Sequence, residues 1–166
     1  MELIHSDLWQ SLILSTSSYR YYICFVDDFP RYTWLYPLKR KSDVFPVFCA
    51  FQKLVENMFN TKIKMFQSDG GRKFDTTQLG AHFLAYGIYF QKSCLETQAQ
   101  NGVAECKGRH RNEIARSFLI EANMPASFWV DAVQIAVFVA NRLPTPNLEG
   151  SSSFEKLFRH SPDYNF

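Results

Sequence analysis

The first third of the chain is dense in apolar residues. After a short apolar segment at residues 3–8, residues 19–28 (YRYYICFVDD) carry aromatic and β-branched side chains at both odd and even positions. This pattern predicts a strand that is buried on both faces. Residues 32–38 (YTWLYPL) are predicted to form its hairpin partner, and the intervening DDFPR supplies a turn in which Pro30 fixes φ.

From Ser42 onward the spacing of apolar residues becomes helical. Apolar side chains recur every three or four residues, at Val44, Phe48, Phe51, Val55 and Phe59. Ser42 or Asp43 is available as an N-terminal cap. Pro46 is compatible with this helix only because it lies in the first turn.

The rest of the chain alternates between strand and helix patterns and then becomes helical. The predicted order is a strand at 62–67 that leads into the turn SDGG, a helix at 76–85, a strand at 87–91, a loop through residue 97, and two long helices separated by 124–127 (MPAS). This order predicts an α/β fold, an RNase H-like mixed β-sheet flanked by helices. It also puts Asp69 at the C-terminal end of a strand.

Length and composition indicate one globular domain with an aromatic core. The chain has 166 residues, of which 46% are hydrophobic and 16% aromatic. We expect the core domain to occupy residues 1–142. Residues 143–166 are predicted to be an extension that leads out of it, partly anchored by Phe154, Leu157 and Phe158.

Charge and cysteine content exclude several classes of protein. Eighteen basic and sixteen acidic residues give a formal charge of +2, so only local clustering could indicate a nucleic-acid binder. The start has no signal-peptide pattern, and no apolar run reaches the roughly 18 residues of a membrane span, which predicts a soluble intracellular chain. The four cysteines form no C-x-x-C pair, as expected of reduced thiols. Cys106 and His110 lack the second pair that a zinc site needs.

Three acidic residues stand out by their positions. Most acids in a domain are solvated surface residues, so number alone means nothing. Asp7, however, lies in an apolar strand segment, Asp69 ends a strand beside two glycines, and Glu105 follows the turn-like Gln-Asn-Gly at 100–102 near the start of a helix. Thirty-five residues separate Asp69 from Glu105.

A cluster of carboxylates suits phosphodiester chemistry. In-line attack needs an oriented nucleophile and a neutralised leaving oxygen, and two divalent ions about 3.5 to 4 Å apart provide both. Carboxylates held together repel one another unless a metal compensates. Because all three candidates are hard oxygen ligands, Mg²⁺ is the expected ion.

Several segments together resemble one known family. They are HSDL (5–8), FVDDFPRYTWLYPLKRKSDV (25–44), QSDGG (67–71), QNGVAE (100–105), and the later FW and NRLPT. Over nearly the whole chain the sequence resembles the integrase catalytic core of copia-type retrotransposons, which are DDE polynucleotidyl transferases. The resemblance implies that Asp7, Asp69 and Glu105 are the catalytic residues and ligands of a two-metal Mg²⁺ or Mn²⁺ site. It further implies end-processing of element DNA and strand transfer into target DNA, a homo-oligomer within the full integrase, and action in the nucleus.

The helix that carries Glu105 also carries a basic face. Arg109 and Asn112 follow Glu105 at i+4 and i+7, whereas a core-facing stripe is predicted on the opposite side at Ile114, Phe118 and Leu119. Further cations lie at Lys107, Arg111 and Arg116. An ordinary solvated helix would look similar. Together with the acidic triad, the five polar residues Lys107, Arg109, Arg111, Asn112 and Arg116 are predicted to contact DNA phosphates.

Other residues near the candidate site have simpler interpretations. Asp27 and Asp28 are expected to cap the local turn, and His5 to be structural. Trp129 is expected in the core.

The chain also departs from the family pattern. Arg72 and Lys73 stand where relatives usually carry Gly-Glu, which places two cations beside Asp69 and is expected to weaken metal binding. Residues 95–98 lack the prolines usual in relatives, and Cys106 and Gly108 replace an arginine and a polar residue. These departures leave a second hypothesis open, a degenerate or domesticated nucleic-acid-binding domain without catalysis. A cellular nuclease of the same fold is a third hypothesis, which the copia-like segments disfavour.

Overall fold

The computed structural model describes residues 1–69, 77–93 and 98–164, with the backbone alone for 69, 92–93 and 98–107. Its strands are β1 (Leu3–Gln10), β2 (Tyr21–Asp27), β3 (Thr33–Leu38), β4 (Met65–Asp69) and β5 (Tyr89–Ser93). Its helices are α1 (Val44–Phe59), α2 (Thr77–Tyr86), α3 (Gln98–Glu121), α4 (Trp129–Arg142) and α5 (Ser153–Phe158).

The five strands form one mixed sheet in the order β3-β2-β1-β4-β5. The first three strands are antiparallel neighbours, while β4 pairs in parallel with both β1 and β5. Helices pack on both faces of this sheet. The predicted α/β class, a mixed sheet flanked by helices, is confirmed.

The core on one face lies between the sheet and helices α1 and α2, and we call it the α1 layer. It is dominated by phenylalanine: Phe25 of β2 stacks on Phe51 of α1 with ring centroids 4.2 Å apart, and Phe48 contacts Phe66 of β4 edge to face. These four side chains are at most 1% exposed. The helical period predicted from Val44 onward therefore describes the buried side of α1.

The core on the other face lies between the sheet and helices α3 and α4, and we call it the α3 layer. Trp129 is 6% exposed and packs edge to face on Trp9 of β1, as predicted for a core tryptophan. The buried Asn141 of α4 accepts a hydrogen bond from the Thr33 N–H (3.0 Å) and donates one to the Thr33 carbonyl (2.8 Å). This pair of hydrogen bonds fixes α4 to β3.

Two predicted strands begin later than the sequence indicated. The strand predicted at 62–67 begins at Met65, because Met65 pairs with Leu3 and β1 offers no ladder partner before that residue. The strand predicted at 87–91 begins at Tyr89. Gly87 has a φ of 68° and ends the turn after α2, from which the Ile88 N–H donates back to the Phe83 carbonyl.

The predicted cap of α1 also needs correction. Asp43 occupies the N-cap position, but its side chain makes no capping hydrogen bond to α1. Its carboxylate instead accepts a hydrogen bond from the Arg40 backbone N–H at 2.9 Å. A 3-10 turn at Lys41–Asp43 leads into the helix, so Asp43 stabilises the approach rather than the first turn.

The C-terminal extension forms a short helix that contacts the core. Ser152 caps α5: its hydroxyl accepts from the Glu155 N–H while the Ser152 N–H donates to the Glu155 carboxylate. Phe158 lies edge to face with Tyr32 and also contacts Phe59 of α1. None of the helices in the described ranges is long and apolar enough to cross a membrane.

Candidate active site

Asp7 lies on β1, the central strand, on the sheet face that is covered by α3. Its antiparallel partner on β2 is Cys24, a fully buried residue of the α3 layer. Asp7 itself is half-buried. Its Oδ2 atom lies 3.3 Å from the point where a Cβ at Gly108 of α3 would be. The carboxylate of Asp7 is therefore in close contact with one turn of α3.

The position of Asp69 is adjacent to that of Asp7 in the sheet. The parallel register pairs His5 with Gln67 and Ser6 with Ser68, and both chains then advance by one residue to Asp7 and Asp69. Asp69 is also the last residue of β4, paired with Ser93 of β5. The backbone positions of the two aspartates consequently lie at the same level on neighbouring strands.

The position of Glu105 lies one helical turn before Gly108 on α3. Residues three apart on a helix share a side, so position 105 lies on the side of α3 that Gly108 turns toward Asp7. The backbone positions of the three predicted residues therefore lie near one another, where the middle of β1 and the end of β4 meet α3. Among residues with described side chains there is no group of three potential metal ligands, and the side chains of Asp69 and Glu105 are outside that set.

A hydrogen bond fixes α3 to the sheet beside this point. The Tyr22 hydroxyl of β2 donates to Asn112 Oδ1 at 2.9 Å. Asn112 lies one turn beyond Gly108, and burial, the main cause, raises the pKa of Tyr22, which stays protonated as a donor. The hydrogen bond defines the rotation of α3 about its axis and so the side on which position 105 lies.

Arg111 is buried in the same layer. Only 4% of it is exposed, and its Nε and Nη2 atoms have no hydrogen-bond partner among the described residues. Its Nη2 atom lies 3.8 Å from the same hypothetical Cβ of Gly108 that Asp7 approaches. Arg111 is thus a cation inside the layer rather than on the protein surface.

The buried thiol of Cys24 lies on β2 opposite Asp7 and is influenced by both charges. Burial raises its pKa to about 11, while the Arg111 guanidinium acts to lower it and the Asp7 carboxylate to raise it. The thiol stays protonated at neutral pH. Asp7 and Arg111 thus influence the pKa of Cys24 in opposite directions, and both influences are smaller than that of burial.

The residues of the predicted basic face of α3 differ in their exposure to solvent. Arg109 and Arg116 are exposed, whereas Arg111 is buried and Asn112 is half-buried against the sheet. Arg111 is therefore not part of an exposed basic face, because Gly108 lets this side of α3 approach β1 closely. Contact of the five polar residues with DNA stays a prediction. The side chain of Lys107 lies outside the described residues. Ile114, Phe118 and Leu119 pack against the α3 layer, as expected for the core-facing stripe.

The neighbouring acids have the local roles expected of them. Asp27 Oδ1 accepts a hydrogen bond from the Phe29 N–H, and burial raises the pKa of this carboxyl. Asp28 Oδ1 lies 2.9 Å from His5 Nε2 and 3.2 Å from Arg31 Nη1. These contacts fix the β2–β3 turn to the start of β1.

Two features of the site were not anticipated, namely the close approach at Gly108 and the burial of Arg111. A glycine inside a long helix often marks such an approach, and this was the available signal. The burial of an arginine had no signal in the sequence. The departures noted at Arg72, Lys73 and residues 95–97 lie outside the described residues.

Comparison with known proteins supports a common origin over the whole chain. Two retrovirus-related Pol polyproteins of Arabidopsis thaliana, from transposons RE1 and RE2, are 47% and 46% identical to it over 99% of its length. The corresponding polyprotein of transposon TNT 1-94 from Nicotiana tabacum is 37% identical over 87% of the chain. The chain spans 11% of the length of each of these relatives. No family model matches it.

Solved structures share the fold at low sequence identity. The HTLV-2 integrase catalytic core domain, solved in complex with magnesium in a trimeric form, has a TM-score of 0.66 at 16% identity and covers 93% of this chain and 94% of its own. A chain of the simian T-cell lymphotropic virus intasome in complex with PP2A regulatory subunit B56 gamma has a TM-score of 0.72 at 12% identity, covering 99% and 56% respectively. The chain is thus similar in sequence to one segment of retrovirus-related Pol polyproteins from copia-type transposons, and it shares the fold of retroviral integrase catalytic cores.

Proposed function

We propose that this chain is an integrase catalytic core that performs divalent-metal-dependent phosphoryl transfer on DNA, with Asp7, Asp69 and Glu105 as metal ligands. The observation that carries the proposal is the contact of Asp7 with α3 at Gly108. It brings the carboxylate of Asp7 within one helical turn of position 105 and next to the strand that ends at Asp69. The relationship to transposon Pol polyproteins supports the same function.

The donor chemistry fits the proposed ions. Three carboxylates supply hard oxygen ligands, which Mg²⁺ and Mn²⁺ prefer, and the half-buried position of Asp7 leaves part of it accessible. A bound pair of such ions would orient the attacking hydroxyl and stabilise the leaving oxygen. The buried Arg111 cation opposes metal binding without removing a ligand.

The protein's own part in the reaction is to hold these ligands in place. The Tyr22–Asn112 hydrogen bond and the packing of α3 on α4 define the orientation of the helix that carries Glu105. The pairing of β1 with β4 sets the spacing of Asp7 and Asp69. Positioning of this kind accounts for a large share of rate enhancement in phosphoryl transfer.

DNA contact is assigned to the exposed part of α3. Arg109 and Arg116 are exposed, and Lys107 lies on the same helix. Arg111 and Asn112 were predicted as phosphate contacts, and we now give them supporting roles inside the layer. Contacts to phosphates supply position and affinity with little sequence choice.

The exposed cations can be tested by DNA binding. Replacing Arg109 and Arg116 together by alanine should weaken binding of duplex DNA, and the slope of log affinity against log salt should fall by about one for each cation removed. Lys53→Ala is the matched control, since Lys53 is exposed on α1 beyond the opposite face of the sheet. An equal loss of DNA affinity in Lys53→Ala would show that DNA binding depends on overall positive charge and not on the exposed part of α3.

Metal dependence tests the activity directly. The 166-residue chain with Mn²⁺ and a branched DNA that mimics an integrated end should show disintegration-type strand joining, and EDTA should abolish it. Joining that persists in EDTA would contradict the proposed metal chemistry.

A non-catalytic nucleic-acid-binding domain is the second candidate. It is favoured by the cation Arg111 inside the α3 layer near Asp7 and by Arg72 and Lys73 beside Asp69 in the sequence. DNA binding without joining under any metal condition would support this candidate.

Cellular context extends the proposal. Integration into a genome would require action in the nucleus and a homo-oligomer that bridges two DNA ends, as part of a longer Pol polyprotein product. The HTLV-2 core is described in a trimeric form, which makes self-association of this chain a reasonable expectation.

A further inference from the structure

The buried guanidinium of Arg111 needs a physical explanation. Arginine stays charged at any pH that a folded protein tolerates, and burial of an uncompensated charge costs several kcal/mol. Two of its nitrogens, Nε and Nη2, are inaccessible to solvent and have no hydrogen-bond partner among the described residues. A solvated surface role is therefore excluded for these two groups, and a nearby negative charge must offset the cost.

The carboxylate of Asp7 lies near this cation. Its Oδ2 atom and the Nη2 atom of Arg111 lie 3.3 and 3.8 Å from one point, the position of a Cβ at Gly108. The same two residues act with opposite sign on Tyr22 and Cys24, which line the layer and are themselves neutral. The half-buried carboxylate and the buried guanidinium are therefore close enough for their charges to interact.

Gly108 makes this arrangement possible. It is buried on the side of α3 that faces β1, and a side chain there would stand between the helix and the carboxylate. Without a side chain at 108, Arg111 can reach toward Asp7 from the next turn of the same helix. Gly108 and Arg111 together thus let α3 place a positive charge near the Asp7 carboxylate of β1.

We propose that Arg111 is a fixed counter-cation for Asp7 that stabilises the metal-free fold and weakens the binding of divalent metal at the carboxylate site. A guanidinium near a metal ligand repels a divalent ion, and it offsets the negative charge that would otherwise require one. The metal half of this statement rests on the proposed function. The pairing of Arg111 with Asp7 does not, and the two halves are tested separately.

The pairing is tested without metal by a double-mutant cycle. In EDTA, urea midpoints are measured for the 166-residue chain, Arg111→Met, Asp7→Asn and the double variant. We expect Arg111→Met to lower the midpoint in the original chain and to lower it clearly less, or to raise it, when Asp7 is already asparagine. Additive shifts would overturn the pairing. If Arg111→Met does not fold, Arg111→Lys replaces it, and the same non-additivity with Asp7→Asn is expected.

The effect on metal binding is tested by calorimetric titration with Mn²⁺ in the absence of DNA. Arg111→Met should bind Mn²⁺ about tenfold more tightly than the original chain, as expected when one unit of nearby positive charge is removed. Lys53→Met removes an exposed cation from α1, beyond the opposite face of the sheet, and should change affinity by less than about twofold. Equal or weaker binding by Arg111→Met would overturn the proposed weakening of metal affinity. If neither the original chain nor any variant binds Mn²⁺, both the proposed metal site and the proposed weakening of its affinity are contradicted. The double-mutant cycle in EDTA still decides whether Arg111 pairs with Asp7.

Discussion

Asp7→Asn is expected to reduce Mn²⁺-dependent strand joining by at least about 1,000-fold, because an amide is a poor ligand for a divalent ion whose charge stabilisation amounts to several kcal/mol. Asparagine has nearly the same shape, so the variant should fold, with a lower stability because the buried Arg111 loses the charge that offsets it. Joining is measured on branched DNA, and folding by circular dichroism.

Asp28→Asn is the matched control for this prediction. Asp28 lies in the β2–β3 turn, close to the start of β1. Its carboxylate contacts His5 of β1 and Arg31 of the same turn, and its side chain is 46% exposed. Its replacement should leave joining within a few-fold of the original rate. Similar losses from both substitutions would mean that the negative charge of this region, rather than a metal ligand at position 7, supports the reaction.

Phe25→Ala should lower the free energy of unfolding by about 3 to 5 kcal/mol, the usual loss for a phenylalanine removed from a packed core. Phe25 is fully buried at the centre of β2, stacks on Phe51 with ring centroids 4.2 Å apart, and contacts Phe66 of β4. Its removal leaves a cavity between the sheet and α1. Urea denaturation measures the loss.

Phe29 provides the comparison for this second prediction. It lies in the β2–β3 turn and is 78% exposed, so Phe29→Ala removes little buried surface. The free energy of unfolding of the Phe29→Ala variant should stay within about 0.5 kcal/mol of the original value. A small loss at Phe25 would indicate that the core relaxes to fill the space and that the α1 layer is less tightly packed than described.

Most of the fold could be predicted because the early strands and α1 carry clear patterns. Residues 19–28 are apolar on both parities, and the structure covers both faces of β2 with helices. Strand starts were less predictable. Whether Lys62 or Met65 begins β4 depends on where β1 offers a partner, and Leu3 lies far away in sequence.

The strand positions of Asp7 and Asp69 could be predicted from the sequence, whereas the side of α3 that faces them could not. Asp7 and Asp69 could be assigned to strands from local pattern and turn residues, and register then aligns them. The side of α3 that faces the sheet could not be predicted, because the first half of that helix has few apolar residues to define a buried stripe. Arg111 was consequently expected at the surface, whereas the approach at Gly108 and the Tyr22–Asn112 hydrogen bond turn it inward.

The central claim is that Asp7, Asp69 and Glu105 bind divalent metal together, and calorimetric titration with Mn²⁺ tests it most directly. Asp69→Asn and Glu105→Gln should each weaken Mn²⁺ binding by at least about tenfold, since each removes a charged ligand from a shared site. Asp131→Asn, at an exposed acid on α4, should bind as the original chain does. Unchanged Mn²⁺ affinity in either Asp69→Asn or Glu105→Gln would contradict a shared site.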